Sequence, residues 1–319
     1  VELFIMQNRR IAPGLLIAAT LLAVVGAAAT RPARAGQIAY AIGGGGSSLV
    51  RFSTDTPGTV STLAFSGDAT ALDAIDFRPA TGQLFGYNDA NSAYYTVNLA
   101  TGVLTRNSMI PVGATTNTFF LGMDFNPTID RLRVVTESTQ NLVYNPIAGT
   151  AAAFTPLFYA SGDPNAAFTP LVIDNAYTNN IIGMGTTQQY VLDYDLNVLA
   201  RLDNNAGTLT TVGKLTLGGL ELDFDQYTGF DIFTDLAGNN LAYALLQVGG
   251  TSGLYSINLN TGAATSLGAL GSTPGPIYGL AVTPTALVPE PSSIALAGLA
   301  ASAFALRALL KRSRNRAAA

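Results

Sequence analysis

The sequence predicts an all-β chain built as a β-propeller of four-stranded blades. Three observations predict it. An apolar-Asp-Phe segment recurs along the body of the chain at a period of about 50 residues, inside the range of propeller blades. A strand–turn–strand segment with Gly, Asn or Asp at its tip recurs in step with it. Nothing between residues 36 and 287 holds a sustained helical period.

The first repeat starts at Ile75-Asp76-Phe77 and returns as Met123-Asp124-Phe125. Looser copies are Ile173-Asp174-Asn175 and either Leu222-Asp223-Phe224 or Phe230-Asp231-Ile232, and Gly279-Leu280-Ala281 is a last copy without the Asp. The hairpin is clearest in Tyr94-Tyr95-Thr96-Val97 leading to Thr101-Gly102, and in Leu254-Tyr255-Ser256-Ile257 leading to Thr261-Gly262. Looser hairpins begin at Leu49, Leu142 and Tyr190. Five hairpins and five starting strands are thus present, but out of phase. The hairpin at 49–64 has no Asp-Phe strand before it, and the strand at 277–283 has no hairpin after it. Joined, they make one blade and close the ring, which removes open sheet edges. Five blades are expected. Six is the alternative, because the interval 202–232 has room for a degenerate unit.

The two ends differ from this body. Arg9-Arg10, an apolar run from Ile11 to Ala29, and Ala33-Arg34-Ala35 before Gly36 have the layout of a secretory signal peptide over 1–35, cleaved after Ala35. At the other end, 288–319 holds Pro289-Glu290-Pro291, an apolar segment at 294–310, and a basic cluster of Lys311, Arg312, Arg314 and Arg316. The apolar segment is long enough for a transmembrane helix, and the cluster would keep its end cytoplasmic.

Composition narrows the chemistry. The chain has no Cys and no His, which excludes disulfides, thiolate and Ser-His-Asp catalysis, and the usual zinc sites. Between 36 and 287, seven Lys and Arg face 18 Asp and Glu, a balance of −11. Such a body repels nucleic acid and anionic lipid. No cofactor is expected.

Carboxylates therefore carry whatever site chemistry there is. Asp76, Asp124, Asp174 and Asp231 begin successive repeats and would line a propeller's central channel. Paired carboxylates serve glycoside hydrolysis, one as acid and one as nucleophile or base, but that needs two groups in unlike environments. A residue repeated in every blade points instead to one structural job, accepting hydrogen bonds from turn amides. Asp223 and Asp225, with Asp231, resemble the start of a calcium loop but lack its Gly and Glu spacing. Asp193, Asp195 and Asn197 read as one polar strand face. Arg131 and Arg133 suit either a carboxylate ligand or an inter-blade pair with an Asp. Gly43 to Gly46 read as a strand-joining loop.

Two resemblances follow from these residues. The Pro-Glu-Pro, apolar helix and basic cluster, in that order, resemble the PEP-CTERM sorting signal of Gram-negative bacteria. That implies processing by an exosortase-type protease near Pro289-Glu290-Pro291, after a signal peptidase has acted at the other end. It also implies a transient inner-membrane anchor, then a cell-surface or extracellular location, and an association with exopolysaccharide or biofilm matrix. The body resembles the DUF4394 family, on Asp124-Phe-Asn-Pro-Thr-Ile-Asp-Arg-Leu-Arg-Val-Val135, Asn205-Ala-Gly-Thr-Leu-Thr-Thr-Val-Gly213 and Gly229-Phe-Asp-Ile232. It implies an extracytoplasmic repeat domain over 36–287 and no activity. The expectation is an exported, non-enzymatic binding or matrix module. A carboxylate-based glycan enzyme and a matrix component with no specific ligand are the alternatives.

Overall fold

The computed structural model describes residues 36–285 apart from 109–112, 117, 119 and 274. The expected signal peptide, the Pro289-Glu290-Pro291 motif, the apolar segment and the basic cluster lie outside the described residues. Within them the chain forms strands and turns without a helix.

Five antiparallel sheets form five blades. From the inside outward, blade 1 is Tyr278–Val282, Ile38–Gly43, Ser48–Ser53 and Thr56–Ala64. Blade 2 is Ala74–Arg78, Gln83–Asn88, Ala93–Val97 and Val103–Arg106. Blade 3 is Leu121–Asn126, Arg131–Thr136, Asn141–Asn145 and Thr150–Ala153. Blade 4 is Val172–Tyr177, Gln189–Asp193, Val198–Asp203 and Thr208–Lys214. Blade 5 is Thr228–Thr234, Asn240–Val248, Thr251–Ile257 and Ala263–Ala269. The five innermost strands touch in a closed cycle, blade 1 against both blade 2 and blade 5.

Closure is by the two ends of the domain, as the phase of the repeats requires. Ala39 pairs with Val282, Tyr40 with Ala281 and Ala41 with Leu280. The interval that had room for a sixth blade instead forms a small hairpin, Thr216–Leu217 and Leu220–Glu221, on the outer edge of blade 5. In blade 4 the hairpin that begins at Tyr190 is the middle pair of strands. The outer hairpin lies one strand later and turns at Asn204 to Gly207.

The core is divided accordingly. Five apolar clusters each fill the gap between two neighbouring blades. Between blades 2 and 3, for example, Tyr94 stacks on Tyr144 with ring centroids 3.8 Å apart, and Phe85 meets Phe125 edge-on. Inner strands are buried on both faces, whereas Val103–Arg106 and Ala263–Ala269 alternate at least in part between buried and exposed. That explains why the period-two signal comes mainly from the outer hairpins.

The rim is stitched by main chain. After each outermost strand, the connection to the next blade runs beside that blade's outermost strand. Ser66–Gly67, Phe158–Tyr159 and Thr216–Leu217 do so as parallel pairs, and Gly113 does so as a bridge to Ala151. The Gly271 N–H closes the cycle by donating to the Pro57 carbonyl at 3.1 Å. The hairpin glycines make room for this. Gly102, Gly207 and Gly262 have φ of 72°, 71° and 79°, a region that suits glycine. A Cβ there would also press on the carbonyls of Ala64, Pro156 and Lys214.

Candidate functional site: a carboxylate ring at the axis

The repeated Asp residues all lie on innermost strands, and the structure resolves the ambiguous fourth repeat in favour of Asp231. Asp76, Asp124, Asp174 and Asp231 are buried, at 1%, 1%, 4% and 1% exposure. Ala281 holds the fifth position and is fully buried.

Their partners are main-chain amides, though of the neighbouring innermost strand rather than of a turn. Asp76 Oδ2 accepts from the Phe125 N–H at 2.7 Å, and Asp231 Oδ2 accepts from the Val282 N–H at 2.5 Å. In both cases the donor follows the equivalent position of the next blade. The amides of Tyr177 and Phe230 favour the charged forms of Asp124 and Asp174. The first strand of blade 4 also shifts register against the second between Val172 and Asp174. The strands also press close there, since a Cβ on Gly122 would collide with the Asp174 backbone.

The four are not equivalent. Asp174 Oδ1 accepts from the Asn175 N–H at 2.9 Å. Asp76, Asp124 and Asp231 each keep a buried Oδ1 with no hydrogen-bond partner. One carboxylate oxygen from each of these three lies within 4.8 Å of the others. Burial is the largest cause pushing every one of these carboxyls up. For Asp76 and Asp124 the neighbouring carboxylates add to it, and the main-chain amides oppose it. Asp174 is likewise well above the usual range, and Asp231 is pushed up to about 7.

The other sequence-derived residues fall elsewhere. Asp223 is exposed, and Asp225 is half-buried and caps the Tyr227 N–H at 2.9 Å. Asp231 is not grouped with them at the axis. Asp193 ends a strand and Asp195 and Asn197 lie in the following turn, so they do not share one strand face. Asp193 instead accepts from the Tyr159 hydroxyl and the Leu171 N–H, anchoring the connection into blade 4. Arg133 is 3% exposed and does cross between blades 3 and 4. Its partners are neutral: Tyr177, Asn141, the Asn204 carbonyl and Asn205. Among the described residues an inter-blade ion pair joins Arg78 to Asp130, with Nε to Oδ1 at 2.8 Å. Gly43 to Gly46 do end one strand and turn into the next. The sequence reading missed Asp73, which sits just before the first strand of blade 2. Burial pushes its carboxyl to about 6 although it accepts from the Asp89 N–H at 2.6 Å.

One face carries an open pocket of 530 Å³. It is lined by turns that follow innermost strands, at Pro127 to Asp130 and Ile181 to Gly185, together with Ala80. Ile129, Ile182 and Met184 are exposed there. The Thr128 hydroxyl ties the two turns by donating to the Gly185 carbonyl at 3.0 Å.

Comparison with known proteins places the chain. The model of a domain of unknown function, DUF4394, matches residues 48–281. No curated protein matches. Among solved structures the chain is similar to a protein of unknown function from Bacteroides caccae. Identity is 10%, coverage is 77% of this chain and 99% of that one, and the TM-score is 0.39. It is also similar to virginiamycin B lyase from Staphylococcus aureus, at 8% identity, 77% and 73% coverage and a TM-score of 0.40. A protein of unknown function from Bacteroides thetaiotaomicron matches at 11% identity, 78% and 67% coverage and a TM-score of 0.42.

Proposed function

The chain belongs to the DUF4394 family, and we propose that it is an exported, surface-sorted binding module of the extracellular matrix rather than an enzyme. The observation that carries this reading is the burial of the repeated carboxylates. A glycan hydrolase needs an acid and a nucleophile or base open to substrate. Here the four regularly placed Asp side chains face the axis, closed to solvent and held by main-chain amides. With neither His nor Cys in the chain, other common nucleophile and base pairs are missing too.

Export and sorting rest on the two ends. The 1–35 segment would be removed by a signal peptidase. The Pro289-Glu290-Pro291 motif would be processed by an exosortase-type protease while the 294–310 helix holds the protein in the inner membrane. The acidic body then suits a surface or extracellular setting and no nucleic acid. Exopolysaccharide is the ligand class proposed. The pocket among the turns of blades 3 and 4 offers Ile129, Ile182 and Met184 to the apolar face of a sugar ring, beside the carboxylate of Asp130.

A glycan array probed with the purified chain, with and without calcium, tests the proposal. Binding without turnover is the expected result. Release of a cleaved product would show that the chain is a glycan-active enzyme. A chain that binds no glycan would leave a structural matrix component.

A further inference from the structure

The axis poses a physical problem that the protein's own side chains do not solve. Three carboxylates converge with oxygens within 4.8 Å of one another. Each has a buried oxygen without a partner. A buried acceptor left unpaired is costly, more so when charged. Neutralising Lys or Arg are not supplied to them by the described ion pairs, which join Arg78 to Asp130 and Lys214 to Glu221. Arg133 stands opposite Asp124 in the register of blade 3, yet its guanidinium is taken up by Tyr177, Asn141, Asn204 and Asn205.

The pattern of orphaned oxygens is selective. Asp174 belongs to the same repeat and is equally internal. Its Oδ1 takes the Asn175 N–H, neither of its oxygens is a buried orphan, and it stands outside the converging group. The three that converge are the three with an oxygen to spare. The other oxygens of Asp76 and Asp231 are fixed by amides of the neighbouring strands, and all three side chains leave innermost strands, so the free oxygens are oriented by rigid elements.

We propose that the axis of the propeller holds one hard cation, calcium by preference, on carboxylate oxygens of Asp76, Asp124 and Asp231. The donor set is all oxygen, which suits calcium, magnesium or sodium rather than soft metals. Calcium takes oxygens at about 2.3–2.6 Å, so two ligands on one ion stand up to about 5 Å apart, whereas magnesium limits them to about 4.2 Å. Oxygens within 4.8 Å of one another are close enough to share one ion. Calcium also accepts irregular ligand sets, and main-chain carbonyls or water would complete its six to eight positions. Because the carboxylates come from three different blades, the ion would tie blades 2, 3 and 5 together. Being closed off from solvent, it would enter as the ring closes during folding.

The test refolds the full chain from denaturant in chelator, or in 1 mM calcium, magnesium or sodium chloride at matched ionic strength and pH 7.5. Bound metal is counted by mass spectrometry, and Tm is measured. The expected result is one calcium per chain and a Tm raised by about 5–10 °C over the chelated protein. Asp76→Asn, Asp124→Asn and Asp231→Asn keep an acceptor for the neighbouring amide and are expected to lose the bound calcium. Asp174→Asn is expected to keep it. Where a variant does not fold, the metal content of the unaltered chain still decides. No stoichiometric metal, with equal Tm in calcium and chelator, would overturn the proposal and leave the three carboxyls sharing protons. An equal shift from sodium or magnesium would overturn the preference for calcium. Calcium retained by all four variants would overturn the location.

Discussion

The axis and the rim of this propeller are joined by different means. At the rim, a connection lies beside the next blade's outer strand. Glycines with positive φ let the two backbones meet at the turns of blades 2, 4 and 5. Most groups involved are main chain, joined at blades 2 and 4 by the carboxylates of Asp68 and Asp163, which accept from the Arg106 and Thr211 N–H groups, and the surroundings are partly wet. At the axis, side-chain carboxylates reach from one innermost strand to the amides of the next, inside a dry interior. The rim relies chiefly on close backbone approach, with its side-chain carboxylates partly exposed. The axis relies on buried carboxyl groups, which hold it more firmly when compensated and cost more when not.

The largest effect expected from this contrast comes from packing at the axis. Gly122→Ala would set a Cβ against the Asp174 backbone, where two innermost strands touch and neither can retreat. A loss of about 3 kcal/mol is expected, at the upper end of overpacking costs. Gly207→Ala adds a Cβ at φ 71° against the Pro156 carbonyl. An edge connection can shift outward, so a loss of about 2 kcal/mol is expected. Denaturant midpoints of the two variants test the ranking. A rim variant more damaging than the axial one would reverse the comparison.

A second effect belongs to the axis and the strand entering it. Asp231 is raised to about 7 and Asp73 to about 6, with burial the main cause for both. A carboxyl raised above its unfolded value favours the fold while protonated. That contribution is complete below about pH 4 and is lost as pH rises through 6 and 7. In chelator, Tm is therefore expected to fall between pH 4 and 8. Calcium, which competes with protons, would restore more at pH 8 than at pH 5. A chelated protein whose Tm rises across that window would contradict the assignment of these carboxyls.

Much of the architecture was legible from residue patterns. The Asp-Phe and Thr-Gly repeats mark two ends of one blade, and their phase requires blade 1 to be made from both ends of the domain. What misled in blade 4 was turn chemistry. Asp195 and Asn197 suit a hairpin tip, and so does Asn205-Ala206-Gly207, but only the latter receives the connection from blade 3, the Phe158 N–H donating to the Gly207 carbonyl, while Asn197 takes the Leu215 N–H of the segment leaving toward blade 5. Local signals cannot rank two turns whose difference lies 49 residues away. The axial carboxylates were visible as a repeat. Their convergence was not, because it depends on how innermost strands from three blades meet at the axis. Arg133 was read as an ionic partner and found neutral ones, since the Asn residues that reach it come from two different blades.

The smallest effect is expected at the rim's own ion pair. Lys214 Nζ lies 2.5 Å from Glu221 Oε1, with both side chains exposed. The pair spans the small hairpin that edges blade 5, so it looks like a clasp. Yet exposed pairs gain little from Coulomb attraction and lose side-chain freedom on forming. The hairpin is already held by the Thr216 N–H, which donates to the Gly262 carbonyl at 3.3 Å, and by the Leu222 N–H, which donates to the Leu215 carbonyl at 2.9 Å. Lys214→Met keeps the main chain and the aliphatic stem while removing the charge. Its Tm should match that of the unaltered chain, at low and at high salt alike. A salt-dependent drop would mean that charge, and not close backbone approach, secures the outer edge, and the two regions would then be built on one principle.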